Sequence, residues 1–135
     1  MRKLLYYSGL VLLAGYVLLT SGCASLGMTP RGSGHPAQVG VASYYGHEFH
    51  GRKTASGEIY NENKLTAAHP RLPFGSTVKV VNLSNNKSVV VRINDRGPFV
   101  SGRIIDLSYR AAQVLEFVNR GTAKVKLEIV EQAQG

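Results

Sequence analysis

The stretch that most constrains the fold is residues 89–107, VVVRINDRGPFVSGRIIDL. Two short apolar runs, Val89-Val90-Val91 and Ile104-Ile105, flank a polar turn made by Asn94, Asp95, Arg96, Gly97 and Pro98. Short β-branched runs bounded by Gly and Pro read as buried strands. Asp95 follows the first strand and Asp106 ends the second, so each strand delivers one carboxylate to the edge of a core. Polar residues held at such an edge by a rigid scaffold are a common seat of chemistry.

The neighbouring sequence supplies more strands. Residues 38–45, QVGVASYY, alternate with Val39, Val41, Ser43 and Tyr45 on one face. Residues 46–57 carry three glycines and two histidines and read as a long surface loop, and residues 58–64 as a turn or short helical piece. The apolar stretch from Leu65 runs into Pro70 and Pro73, which exclude a continuing helix. Residues 77–83 and 87–93 form a hairpin about Ser84-Asn85-Asn86, because Asn tolerates positive φ. Residues 102–106 make another strand. Ser108 is the expected N-cap of a helix over residues 109–118, with Ala111, Val114, Leu115 and Val118 as its buried stripe. Residues 123–130 close the domain, with Val125, Leu127 and Ile129 inward. Five to six short strands with a single helix must hide their edges, and a compact barrel does so economically.

The N-terminal end is of another kind. Arg2 and Lys3 precede a mainly apolar run over residues 4–19, followed by the small residues Ser21 and Gly22 and by Cys23, the lone cysteine of the 135-residue chain. That pattern is a secretory signal more readily than a membrane span. A single free thiol is unusual in an oxidising compartment. Leu19-Thr20-Ser21-Gly22-Cys23 resembles the lipobox of bacterial lipoproteins. That resemblance implies cleavage before Cys23 and acylation there. With Ala24 rather than Asp following, it also implies sorting to the outer membrane, facing the periplasm. Residues 24–36 are small and turn-rich and read as a flexible tether. The expected division is therefore a signal peptide over residues 1–22, a lipidated tether over 23–37, a globular domain over 38–131 and a tail over 132–135. The net charge of +8 favours an anionic partner. Export argues against nucleic acid and for wall polymer or lipid headgroups.

Four ordered motifs, GVASYYGHEFHGRKTASGEIYN, LTAAHPRLPFG, VNLSNNKSVVVRINDRGPF and GRIIDLS, resemble those of the rare lipoprotein A (RlpA) family. The resemblance implies a six-stranded double-psi β-barrel with one short helix, similar to barwin, expansins and family 45 endoglucanases. It implies endolytic lytic transglycosylation of peptidoglycan glycan strands poor in stem peptide, by a monomer without cofactors, in wall remodelling or daughter-cell separation. Many family members continue into a SPOR domain. The chain stops at Gly135, so a short form lacking that domain is expected. The alternative is an expansin-like lipoprotein that binds wall polymer without cutting it.

Lytic transglycosylation needs little from the protein. The muramyl 6-hydroxyl attacks its own anomeric carbon, and intramolecular attack has a high effective molarity. One carboxyl group can protonate the leaving oxygen and then accept the hydroxyl proton. Asp95 is the first candidate, and the alternative is an aspartate that shapes its turn or pairs with Arg96. Asp106 is the second, because its Ile-Asp-Leu-Ser setting resembles the His-Phe-Asp motif of expansins and family 45 enzymes; otherwise it caps the next helix. Glu58 fits a loop over the cleft, to orient sugar or assist the acid. His69 matches the family's histidine and would hydrogen-bond an active carboxylate. Of Tyr44 and Tyr45 only one can face the cleft, because adjacent strand residues point oppositely. Arg92 and Arg96 are candidates for the lactyl carboxylate of muramic acid, and Asn94 joins them as a substrate-binding candidate. No metal site is expected, since His47-Glu48-Phe49-His50 is not the His-Glu-x-x-His motif.

Overall fold

A computed structural model describes residues 35–135. The expected signal over residues 1–22, the lipidated Cys23 and the tether up to residue 34 lie outside the described residues. Six strands, β1 (Gln38–Tyr44), β2 (Thr66–Ala68), β3 (Thr77–Asn82), β4 (Ser88–Asp95), β5 (Arg103–Leu107) and β6 (Ala123–Glu131), close into a barrel in the order β1-β5-β2-β4-β3-β6. The pairs β1/β5 and β2/β4 are parallel and the other four are antiparallel. One helix, α1 (Tyr109–Val114), covers the barrel. This is the double-psi barrel that the motifs imply.

Alternation builds the core. Val78 and Val80 of β3, Val89, Val91 and Ile93 of β4, Ile105 and Leu107 of β5, and Val125 and Leu127 of β6 all point inward and are buried. A side-chain period of two makes this face unambiguous in each strand. The hairpin between β3 and β4 turns where expected. Asn86 takes φ 60°, while Asn82 and Asn85 donate to the Leu115 carbonyl at 2.8 and 3.0 Å. The turn therefore also satisfies the end of α1, whose last carbonyls have no partner within the helix.

Three expectations are corrected. In β5 only Ile105 of the run Ile104-Ile105 lies in the core, and Ile104 is partly buried. Ile104 has no partner opposite it, since Val41 pairs with Arg103 and Ala42 with Ile105. A bulge of this kind breaks simple alternation. Second, α1 ends at Val114 rather than residue 118, because Glu116 turns left-handed at φ 58°. That turn brings Phe117, at 1% exposure, into the core, whereas Val114 and Val118 are only partly buried. Ser108 caps the helix as expected, its hydroxyl accepting from the Ala111 N–H at 3.3 Å. Third, β4 runs to Asp95, so Asn94 and Asp95 are strand residues and not turn residues. Gly97, beyond them, takes φ 119°, which a side chain would strain.

Candidate active site

Strand β2 lies between the two strands that carry the candidate acids. Ala68 pairs with Asp95 on one side and with Asp106 on the other, and Asp106 pairs in turn with Ser43. Residues directly opposite one another in a sheet share a face. Ser43, Asp106, Ala68 and Asp95 therefore form one row across four strands, on the face opposite Ile93, Ala67 and Leu107. Strands are about 4.8 Å apart, so the two aspartates stand roughly 10 Å apart at the backbone. Ala68, at 0% exposure, is the floor between them.

Asp95 is held by neutral donors. Its Oδ2 accepts from the Tyr45 hydroxyl at 2.7 Å. Its Oδ1 accepts from the backbone N–H groups of Ala55 and Arg96, each at 2.9 Å. Among the described residues no Lys or Arg forms an ion pair with it. The expected alternative of pairing with the Arg96 side chain is not what the structure has. Arg96 Nη1 donates to the carbonyls of His69 and Leu72 at 3.3 and 2.9 Å, and its guanidinium lies 3.9 Å over the Phe74 ring.

Tyr45 faces the site and Tyr44 packs away from it, as strand alternation requires. The Tyr44 hydroxyl donates to the Val118 carbonyl at 2.8 Å, and its ring meets Phe117 edge-on. The Tyr45 ring sits 4.9 Å from Tyr60 and 5.7 Å from Phe49. Burial, then the Asp95 hydrogen bond and the charges of Asp95 and Asp106, push the Tyr45 phenol well up. It thus remains a donor through neutral pH.

Asp106 is in a different state. Its Oδ1 accepts from Arg103 Nη2 at 2.6 Å and from the Ser43 hydroxyl. It does not cap α1, a task that falls to Ser108. Glu58 is also paired. Arg92 grips it with Nη1 and Nη2 at 2.6 and 2.7 Å, and this hydrogen bonding holds its carboxyl below the usual range. Glu58 does not touch Asp95. Its loop does: the Thr54 N–H donates to the Glu58 carbonyl at 2.7 Å, and Ala55 and Ser56 then donate to Asp95 Oδ1 and to the Asn94 carbonyl. Asn94 itself is 3% exposed.

The hydrogen bond expected from His69 to a carboxylate is not made. Its Nδ1 accepts from the N–H groups of Arg71 and Leu72 at 3.1 and 3.0 Å, and Nε2 lies 3.2 Å from Gln38 Oε1. Two donors on Nδ1 assign the proton to Nε2. Burial, followed by the charges of Arg71 and Arg96, pulls the ring down to about 4, so it is neutral at pH 7. Only the backbone of His69 meets the site, its N–H donating to the Asp95 carbonyl at 3.2 Å. Among the described residues no group of three His, Cys, Asp or Glu side chains could hold a metal ion.

Sequence reasoning missed Ser43, Ala68, Tyr60 and Arg103. Arg103 and Asp106 are three apart, which in a regular strand sets them on opposite faces. The bulge at Ile104 returns them to the same one. The one cue in the sequence was Gly102, just before the strand.

The fold and site define a double-psi barrel with a row of acids laid across a short central strand. The family model described as "Lytic transglycolase" matches residues 37–127, and the chain belongs to that family. The chain is 59% identical over 97 residues to the Endolytic peptidoglycan transglycosylase RlpA of Neisseria meningitidis serogroup B, covering 72% of this chain and 41% of the relative. It is 57% identical over 91 residues to the protein of that name from Campylobacter jejuni, covering 67% and 33%. With that of Pasteurella multocida it shares 46% over 129 residues, covering 96% and 43%. The chain spans less than half the length of these curated relatives. Two solved structures share the fold. The Streptomyces papain inhibitor has TM-score 0.59 at 22% identity, covering 71% of this chain and 96% of that one. A mutant expansin of Clavibacter michiganensis in complex with cellohexaose has TM-score 0.56 at 17% identity, covering 74% and 53%.

Proposed function

We propose that the domain cleaves the β-1,4 bond between N-acetylmuramic acid and N-acetylglucosamine in peptidoglycan glycan strands, as an endolytic lytic transglycosylase with Asp95 as its acid and base. The observation that carries this reading is the state of the three acids. Glu58 and Asp106 are each ion-paired to an arginine, while Asp95 meets only neutral donors. Hydrolysis by two carboxyl groups would need a second acid free to act. Intramolecular transglycosylation needs one.

Asp95 is the group that supplies the proton in this step. That proton passes to the glycosidic oxygen as its bond to the muramyl anomeric carbon breaks. The muramyl 6-hydroxyl oxygen bonds to the same carbon and returns its proton to Asp95. The products are a 1,6-anhydromuramyl end and a free 4-hydroxyl on N-acetylglucosamine, with no water consumed. Tyr45 aims Oδ2, and the Ala55 and Arg96 amides hold Oδ1 still. The roles of Glu58 and His69 are positional: one ties down the loop that bears Ala55, and the other shapes the turn beyond Ala68.

The sequence around Cys23 supports a lipid anchor in the cell envelope, facing the periplasm from the outer membrane. Two experiments test these readings. Purified protein incubated with peptide-free glycan should release 1,6-anhydromuramyl ends detectable by mass spectrometry. Retained glycan binding without such ends would overturn the enzyme reading in favour of a binding module. Labelled palmitate should be incorporated by the wild-type chain and not by Cys23→Ser.

A further inference from the structure

Arg103 was not singled out by its sequence context, yet it is the cation nearest the row of acids. Its guanidinium is fixed on one side. Nη2 donates to Asp106 Oδ1 at 2.6 Å and to the Ser43 hydroxyl. Nε is buried and has no hydrogen-bond partner among the described residues. Nη1 makes no hydrogen bond among the described residues, and the side chain keeps 32% of its surface in solvent. A planar guanidinium with one side pinned and one donor left over is preorganised for a carboxylate. Holding it costs the protein a bulge at Ile104, a device commonly used beside sites to re-aim a side chain.

The other two cationic candidates are already engaged. Arg92 spends both terminal nitrogens on Glu58, and Arg96 spends its side chain on two carbonyls and the Phe74 ring. From this geometry we infer that Arg103 recognises the lactyl carboxylate of a muramyl residue lying along the row, with Asp106 and Ser43 as its positioning residues. Asp106 then serves substrate selection rather than proton transfer. A muramyl residue whose lactyl group is blocked as an amide lacks the negative charge that Arg103 awaits. The inference rests on the glycan reading of the site above, but it concerns binding and not cleavage.

The test is a binding measurement by calorimetry on the full chain with three ligands. They are a muramyl-containing glycan oligomer with free lactyl carboxylates, the same oligomer with those groups converted to methylamides, and a chitin oligomer of equal length. Wild type should bind the free-carboxylate glycan about tenfold or more tighter than the other two, as for a hydrogen bond to a charged group. Arg103→Gln should bring all three within about twofold of one another. Arg103→Lys, which keeps the charge and protects Asp106 from being left alone, should recover part of the preference. Equal binding of all three ligands by wild type would overturn the inference, as would Arg103→Gln weakening all three alike. Anhydromuramyl ends measured on the same samples report separately on cleavage, so a failure of the transglycosylase reading leaves the binding result interpretable.

Discussion

The hydroxyl of Tyr45 donates to Oδ2 of Asp95 at 2.7 Å, joining residues fifty apart in sequence. Tyr45 follows β1, and Asp95 ends β4, which is not a neighbour of β1 in the barrel. The bond fixes one oxygen of Asp95, the acid of the row that no cation among the described residues pairs with.

Asp95→Asn should remove the proton donor while keeping an oxygen for the Ala55 and Arg96 amides. Release of anhydromuramyl ends should fall by about a hundredfold to ten-thousandfold, the usual weight of a general acid. Circular dichroism should remain that of the wild type. Asp106→Asn should behave differently, leaving Arg103 without its charged partner and costing about 1–3 kcal/mol of stability in urea. Its effect on turnover should be the smaller of the two. A larger loss of turnover in Asp106→Asn would reverse the assignment.

Tyr45→Phe deletes the hydroxyl and keeps the ring against Tyr60 and Phe49. The expected cost is about 1 kcal/mol in stability, as for one hydrogen bond, with a fall in kcat of about tenfold. KM should hardly move, because the phenol aims the acid rather than the sugar. Steady-state kinetics on soluble glycan oligomers separate the two parameters.

His69 supplies a pH dependence of definite sign. Its ring is depressed from an ordinary value near 6.5 to about 4 in the folded protein. The unfolded chain therefore binds the proton first as pH falls. The stability contributed by the neutral ring is complete above about pH 6.5 and is lost progressively down to about pH 4. The full effect is about 3 kcal/mol. Urea unfolding at pH 7, 5.5 and 4 should show it as a slope that His69→Gln flattens.

Glu58→Gln breaks the grip of Arg92 on an exposed pair. Stability should fall by less than about 1 kcal/mol, as is usual for surface ion pairs. Turnover should fall by more than that stability loss suggests, because the loop that presents the Ala55 N–H to Asp95 is no longer tied to β4. Raising the salt concentration should weaken wild-type turnover more than that of the variant.

What could be read from the sequence follows the period of two. Residues 77–93 and 123–130 alternate cleanly about short turns, and their strands fall where that pattern puts them. Reading failed where a local device interrupts the period. The bulge at Ile104 hid the Arg103–Asp106 pair, and the left-handed Glu116 hid Phe117. Asp95 and Glu58 were legible as polar residues at motif positions. That Glu58 is paired and Asp95 is not depends on contacts across thirty-four and fifty residues, which no local pattern encodes. The carboxylate bond expected of His69 is absent, since its ring turns toward Gln38 and its own loop.

Strand β2 has three residues and pairs with both strands that carry the aspartates. Asp95 and Asp106 stand in one row only with that short segment between them. The barrel closes through the same segment. The row of acids and the closed barrel therefore depend on the same three residues. Activity and barrel structure should vanish together along a denaturant titration, at one midpoint.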